Sequence, residues 1–392
     1  MTKDDDTAGD NTPFYSERSW LMTDSLVYGR AAGYRAFIRA PLRDQHVVST
    51  CFVAHHPDHL ESRSLLPADN PATLMIVRDR PTGLALFFIM RGSILSAIWK
   101  VLLLNVIIAI FVTVGHGTVF HEKVTLTTIP FTLIGLALAI FLGFRNSAAY
   151  DRYWESRKLW GQLVATSRDL SRQCQSMIQN DLPIQTARQR SGLDDVRVRM
   201  ICRAIAFAHA LRIQLRTTNP SSWSDFEGLL KEDELARLGT TSSNTNFLMN
   251  RMGKDLRRCL VEQRLDAFLA PTIDSTLCTM VAVATGCERI KNTPIPFSYT
   301  LLLHRTAYLY CFLLPFGLVD TIGFMTPVVV AIVAYTFFGL DAVGDEITEP
   351  FGVSSNHLPL DALCRTIEID MRESLGDVFI PPALEAVEFQ LT

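Results

Sequence analysis

Three bulky apolar residues, Leu136, Ile140 and Phe144, recur four apart in a stretch that carries no charge. On an α-helix each step of four turns about 400° and rises about 6 Å, so the three share one stripe about 12 Å long. Gly135, Ala137, Ala139 and Gly143 flank it, and small residues of this kind let membrane helices approach closely. Copies of such a helix arranged around an axis would enclose a narrow apolar throat, a constriction that gates ion flow by dewetting. An ordinary lipid-facing or core stripe has the same periodicity, so spacing alone leaves both readings open.

Other residues with chemical potential are sparser. His304 and Arg305 interrupt an apolar segment; ionisable groups so placed serve as proton relays or, more simply, as polar contacts between helices. Asp341, Asp345, Glu346 and Glu349 sit at helical spacing, which reads first as a solvated acidic helix end. His55, His56 and His59 are close enough in sequence to suggest a metal, but a solvated loop explains them better. The eight cysteines include no CxxC pair, which argues against structural zinc and a secreted disulfide framework and for free, mostly buried thiols. There is no Walker loop, HExxH or GxSxG. No enzyme, metal or cofactor is expected.

The elements that must position the stripe follow from where the apolar residues gather. The chain has 392 residues, a net charge of −3 and 48% hydrophobic residues, with a mean hydropathy of +0.18. So small a net charge gives no reason to expect a nucleic-acid partner. Apolar residues concentrate in two blocks, 92–144 and 298–340. In the first, a charge-free run from Val101 reaches spanning length if it starts near Ser93 and Lys100 snorkels. A second span opens at Ile129-Pro130, where proline suits a first helical turn. In the second block, one span covers Ile295–Val319, a turn is expected at Asp320–Gly323, and the last span covers Thr321–Leu340 with a kink at Pro327. Between the blocks, Leu163–Ile178 and Ile201–Leu215 keep apolar residues three and four apart. Ser224 and Glu227 read as a capping box, with Gly239 at the end of that helix. Lys and Arg cluster outside the two short hairpin turns, which places both termini and the middle domain in the cytoplasm.

The segment after the stripe is more specific. It reads LGFRNSAAYDRYWESRKLWGQL and presents Arg145, Asn146, Tyr150, Arg152, Tyr153, Trp154 and Glu155 in order. With Met90-Arg-Gly-Ser93, Cys287-Glu-Arg-Ile290, Ile295-Pro296 and Glu349-Pro-Phe-Gly352, it closely resembles the bestrophin family, most of all its bacterial branch. The resemblance runs from about Met75 to Asp377. It implies an all-α membrane protein with four transmembrane helices and a cytoplasmic helical domain, assembled as a pentamer around one central pore. It places a three-ring hydrophobic neck at Leu136, Ile140 and Phe144, and a cytoplasmic constriction around Pro271 to Ile273, with Ile273 preferred. Arg145 and Arg152 read as ion-steering charges or, more simply, as residues that mark the membrane boundary and pair locally, since Arg152, Glu155 and Lys158 are three apart.

The domain reading is an N-terminal extension 1–74, poorly ordered or preceding a true start at Met75; a first membrane hairpin 75–144; a cytoplasmic domain 145–297; a second hairpin 298–340; and a C-terminal helix and tail 341–392. Eukaryotic bestrophins bind calcium directly after Pro-Phe-Gly, but here Val353-Ser-Ser-Asn-His357 offers no carboxylate until Asp361, so no calcium gating is expected. The implied function is passive conduction of small inorganic ions across the cell inner membrane, chloride and other anions by family, monovalent cations in some of the bacterial branch. The partners are a homo-pentamer and the lipid bilayer. A non-conducting scaffold or sensor that binds partners through its helical domain is the competing reading. A transporter fits less well, because no inverted repeat or broken central helix is visible.

Overall fold

The computed structural model describes residues 75–76, 93–115, 118–119, 122–123, 126–216, 224–354, 356–385 and 390–391. The readings of residues 1–74, including His55, His56 and His59, lie outside the described residues. The described chain is helical apart from two minimal strand pairs. Thr118–Val119 pairs with Glu122–Lys123 in the first hairpin turn, and Met75–Ile76 pairs antiparallel with Gln390–Leu391.

Three helical stretches among the described residues are long and apolar enough to cross a membrane: Leu95–Val114, Thr128–Met177 and Phe297–Thr348. Helix α1, Leu95–Val114, has 20 residues, about 30 Å and the thickness of a hydrocarbon core. Helix α2, Thr128–Met177, runs unbroken for 50 residues, about 75 Å. Only its first third is apolar, so one rigid element joins the stripe to the charge-rich middle of the chain.

The third stretch is a hairpin. Helix α8 spans Phe297–Ile322, a short 3-10 turn spans Gly323–Met325, and helix α9 spans Thr326–Thr348. Gly323 ends α8 at φ +55°, a backbone region that favours glycine. The two helices are antiparallel: Leu314 clusters with Val330, the Tyr308 and Phe338 rings lie 4.8 Å apart, and His304 reaches Asp341. This corrects the expected turn at Asp320–Gly323, since α8 continues through Asp320 and the reversal comes three residues later. It also corrects the expected kink at Pro327. That proline sits in the first turn of α9, where no N–H is needed; Pro315 is the proline inside a helix.

Helix α2 packs against α8 at Gly135, where a Cβ would collide with the Tyr310 ring. Its inward face in this region is Leu138, Leu142, Arg145 and Ala149, all buried.

The middle of the chain closes around helix α4, Val196–Arg216, buried on nearly all sides by the lower half of α2 and by the helices that follow it. These are α5, Glu232–Leu235; α6, Asn244–Val261; α7, Ala270–Asn292; and α10, Leu360–Leu375, with α3, Ile184–Ser191, before them. Trp160, Leu163, Ile205, Phe207 and Leu211 fill the core. Because α4 also carries arginines inward, each needs a carboxylate. Arg199 pairs with Asp255 at 2.7 Å, and Arg203 pairs with Asp255 at 2.5 Å and Glu234 at 2.6 Å. Burial pushes the Asp255 carboxyl up, but Arg199 and Arg203 outweigh it and hold the group below its ordinary value. The helix expected to start at a Ser224–Glu227 capping box does not form. Ser224–Phe226 is a single 3-10 turn that buries Phe226, and the short helix begins at Glu232. Glu234 is drawn into the core by Arg203 and Arg251, and that tertiary demand moves the helix start. Six of the seven described cysteines are buried and all seven are free.

Candidate functional site

Helix α2 turns about 100° per residue, which sets Leu136, Ile140 and Phe144 opposite the buried Leu138, Leu142 and Arg145 face. They are 62%, 48% and 66% exposed. Large apolar side chains left this bare belong against lipid, a second chain or a pore. Ala137, Ala139 and Gly143 beside them are exposed too, so of these four small residues only Gly135 serves helix approach within the chain. Farther down α2 the same face changes character. Asp151, Lys158, Gln162 and Asp169 continue the exposed line, so the face is apolar above residue 145 and mainly polar below it, with Trp154 as an aromatic exception.

The residue after Phe144 turns the other way. Arg145 is fully buried and donates from Nη1 to Asp341 at 2.6 Å and from Nη2 to Asp345, both on α9. Asp341 also meets Nδ1 of His304 on α8 at 2.7 Å. Asn146 donates to the Leu340 carbonyl at 3.0 Å. A Cβ on Gly344 would strike the Asn146 side chain and crowd Arg145, so a glycine there lets α9 come close. Arg145 thus clamps three apolar helices at the lower edge of the stripe. His304 is a polar contact between helices, as expected, while Arg305 lies exposed on α8.

The expected local pairing of Arg145, Arg152 and Glu155 is overturned. Arg145 reaches across the chain to α9. Arg152 donates to the carbonyls of Thr293 at 2.6 Å and Ile290 at 2.5 Å, and to that of Thr348. It therefore caps the ends of α7 and α9, where carbonyls lack helical partners and a cation is favoured. Glu155 pairs with Arg289 of α7 at 2.6 Å. Tyr150 and Trp154 stack with ring centroids 6.5 Å apart. Within the motif, Arg145, Asn146, Arg152 and Glu155 are thus anchors that tie α2 to α7, α8 and α9, while Tyr150 and Trp154 stack on each other on its exposed side. Long-range partners are invisible to local spacing, which is why sequence reasoning paired them with neighbours.

Two further expectations change. Asp341 is buried against Arg145 and His304 rather than solvated. Asp341 and Asp345 are committed to Arg145, and among the described residues no group of three or more His, Cys, Asp or Glu could hold a metal. Ile273 is 0% exposed in the core of the helical domain, so its side chain cannot line a conduit. Five residues earlier, in the turn before α7, Phe268 is 91% exposed, with its backbone N–H bound to the Asp266 carboxylate at 2.8 Å. An aromatic followed directly by Leu269 at a helix entrance gave no periodic signal.

Residues 75–373 match the sequence model of the family described as Bacterial/Fungal Bestrophin protein. The chain is 41% identical over 318 residues to a voltage-dependent anion channel-forming protein of Mesorhizobium japonicum, covering 80% of this chain and 96% of that one. It is 41% identical over 320 residues to the voltage-dependent anion channel-forming protein YneE of Escherichia coli, covering 81% of this chain and 100% of that one. Among solved structures, a variant of a bacterial bestrophin homologue from Klebsiella pneumoniae superposes with a TM-score of 0.62 at 36% identity, over 70% of this chain and 98% of that one.

Proposed function

Because the chain belongs to the bacterial and fungal bestrophin family, we propose that it is an ion channel in which five copies surround one pore, with Leu136, Ile140 and Phe144 as its neck. The observation that carries this reading is the exposed face of α2. It is bulky and apolar over about 12 Å, lies opposite the face that packs inside the chain, and continues as a polar line along the helical domain. A lipid-facing stripe would explain the apolar part alone. A neck followed by an aqueous vestibule explains the whole face. The Arg145 clamp holds the wall in place from behind without putting a fixed charge into the throat.

Both hairpins cross the inner membrane, giving four spans with termini and helical domain in the cytoplasm; the α8–α9 reversal at Gly323–Met325 supplies the fourth. Phe268 takes the role first assigned to Ile273, as the second, cytoplasmic constriction. Conduction is passive and of small monovalent ions. The relatives named as anion channel-forming point to anions, while a greasy neck without charge favours neither sign. Purified protein in planar bilayers should give unitary currents whose amplitude changes on Phe144→Ala, and reversal potentials with sodium and chloride varied separately then read the sign. Electrical silence under every voltage and salt condition would favour the scaffold reading.

A further inference from the structure

Where the ends of α4, α7 and α9 meet the side of α2, a cavity of about 320 Å³ opens that the ion pathway does not use. Its wall contains three cationic side chains, Arg152, Arg216 and Lys291, and one carboxylate, Glu349, with Phe351 on the apolar side. Arg152 gives its N–H groups to neutral helix-end carbonyls, which hold its position but do not cancel its charge. Lys291 donates to the Gln214 carbonyl at 2.6 Å, and burial pushes its ammonium below the ordinary lysine value.

Arg216 is the informative residue. It is the last residue of α4, its side chain is 8% exposed, and it pairs through Nη1 with Asp361. Its Nε and Nη2 are buried and have no hydrogen-bond partner among the described residues. A guanidinium leaves two adjacent N–H groups unmet at a cost that folded proteins normally avoid. Nε and Nη2 form the fork that donates to two oxygens of one anion.

We propose that this cavity binds a phosphate-class oxyanion, taken by the free fork of Arg216 together with Lys291. Two-point recognition calls for an anion with at least two oxygens, which a halide ion cannot supply. The volume admits inorganic phosphate or a phosphorylated headgroup, and the cavity adjoins the end of the apolar α9, so free phosphate and an anionic lipid are the two sources. An occupant would bridge α4, α7 and the end of α9, tying the second hairpin to the helical domain.

The test uses full-length protein in nanodiscs. In phosphatidylcholine discs, calorimetric titration with sodium phosphate is compared with sodium chloride at equal ionic strength. In a second arm, melting temperature is compared between phosphatidylcholine discs and discs containing phosphatidylglycerol, without phosphate. Saturable phosphate binding that weakens at least tenfold in Lys291→Gln and in Arg216→Lys supports the site with a soluble occupant; the lysine keeps the charge and removes the fork. Stabilisation by phosphatidylglycerol that both variants abolish supports the headgroup as occupant. Neither effect in the parent protein, or either effect unchanged in both variants, overturns the proposal.

Discussion

Replacing Arg145 with methionine should destabilise the fold by about 3–5 kcal/mol, the range for leaving one partner of a buried ion pair alone. The magnitude follows from the surroundings. The Arg145 side chain is 1% exposed and that of Asp341 is 5% exposed, with 2.6 Å between them. Without Arg145, the buried Asp341 keeps His304 as its side-chain partner. Asp341→Leu should fall at the low end of the range, because Arg145 retains Asp345, a half-exposed partner whose help is screened by solvent. In the double variant Arg145→Met/Asp341→Leu both charges leave together, and a well-packed apolar pair is often neutral relative to the ion pair. The cycle therefore predicts that the double variant costs less than Arg145→Met alone, with a coupling of about 3 kcal/mol or more. Equilibrium unfolding in mixed micelles of sodium dodecyl sulfate and a mild detergent, followed by helical circular dichroism, measures all four corners. Additivity of the two single changes within about 0.5 kcal/mol would refute the clamp.

Asn105 is buried in α1, with neither its side-chain oxygen nor its nitrogen bonded among the described residues. Asn105→Leu should therefore raise stability by about 1–2 kcal/mol in the same unfolding assay, since it removes unsatisfied polar atoms; a loss would show that Asn105 has a partner in the assembled protein. His209 on α4 offers a pH test. Burial, with Arg212 adding to it, pushes its imidazole down from 6.5 to about 4, against the opposing pull of Asp225, Glu368 and Asp361. The folded value lies below the unfolded one, so the neutral ring contributes stability that is full above about pH 6.5 and lost as pH falls toward 4, at about 1.4 kcal/mol per unit. His209→Gln should flatten the pH dependence of stability in that window, and equal slopes in the two proteins would count against it.

The membrane elements were legible because α1, α2, α8 and α9 follow hydropathy, with proline or glycine near several of their ends, signals that act over a few neighbouring residues. The stripe was legible for the same reason, since 3.6-residue periodicity puts Leu136, Ile140 and Phe144 on one face. What local reading missed were contacts between residues far apart in sequence. Arg145 pairs 196 and 200 positions away, and nothing near it names Asp341 or Asp345. The helix expected from Ser224 failed because Arg203 and Arg251, on other elements, dictate where Glu234 must sit. Ile273 follows from the family resemblance in a stretch where no motif anchors the register; it is buried in the core of the helical domain, while the exposed Phe268 stands outside any period.

The neck itself is tested most directly by thiol block. With the exposed Cys278 replaced by serine, cysteine is introduced at Ile140 on the stripe and, as a comparison, at Ile332, a more exposed position on α9. A charged methanethiosulfonate reagent is then added during single-channel recording. The account predicts a stepwise loss of unitary current in Ile140→Cys, reversed by a reducing agent, and unaltered current in Ile332→Cys. Unaltered current in Ile140→Cys after mass spectrometry has shown the thiol to be modified would contradict it.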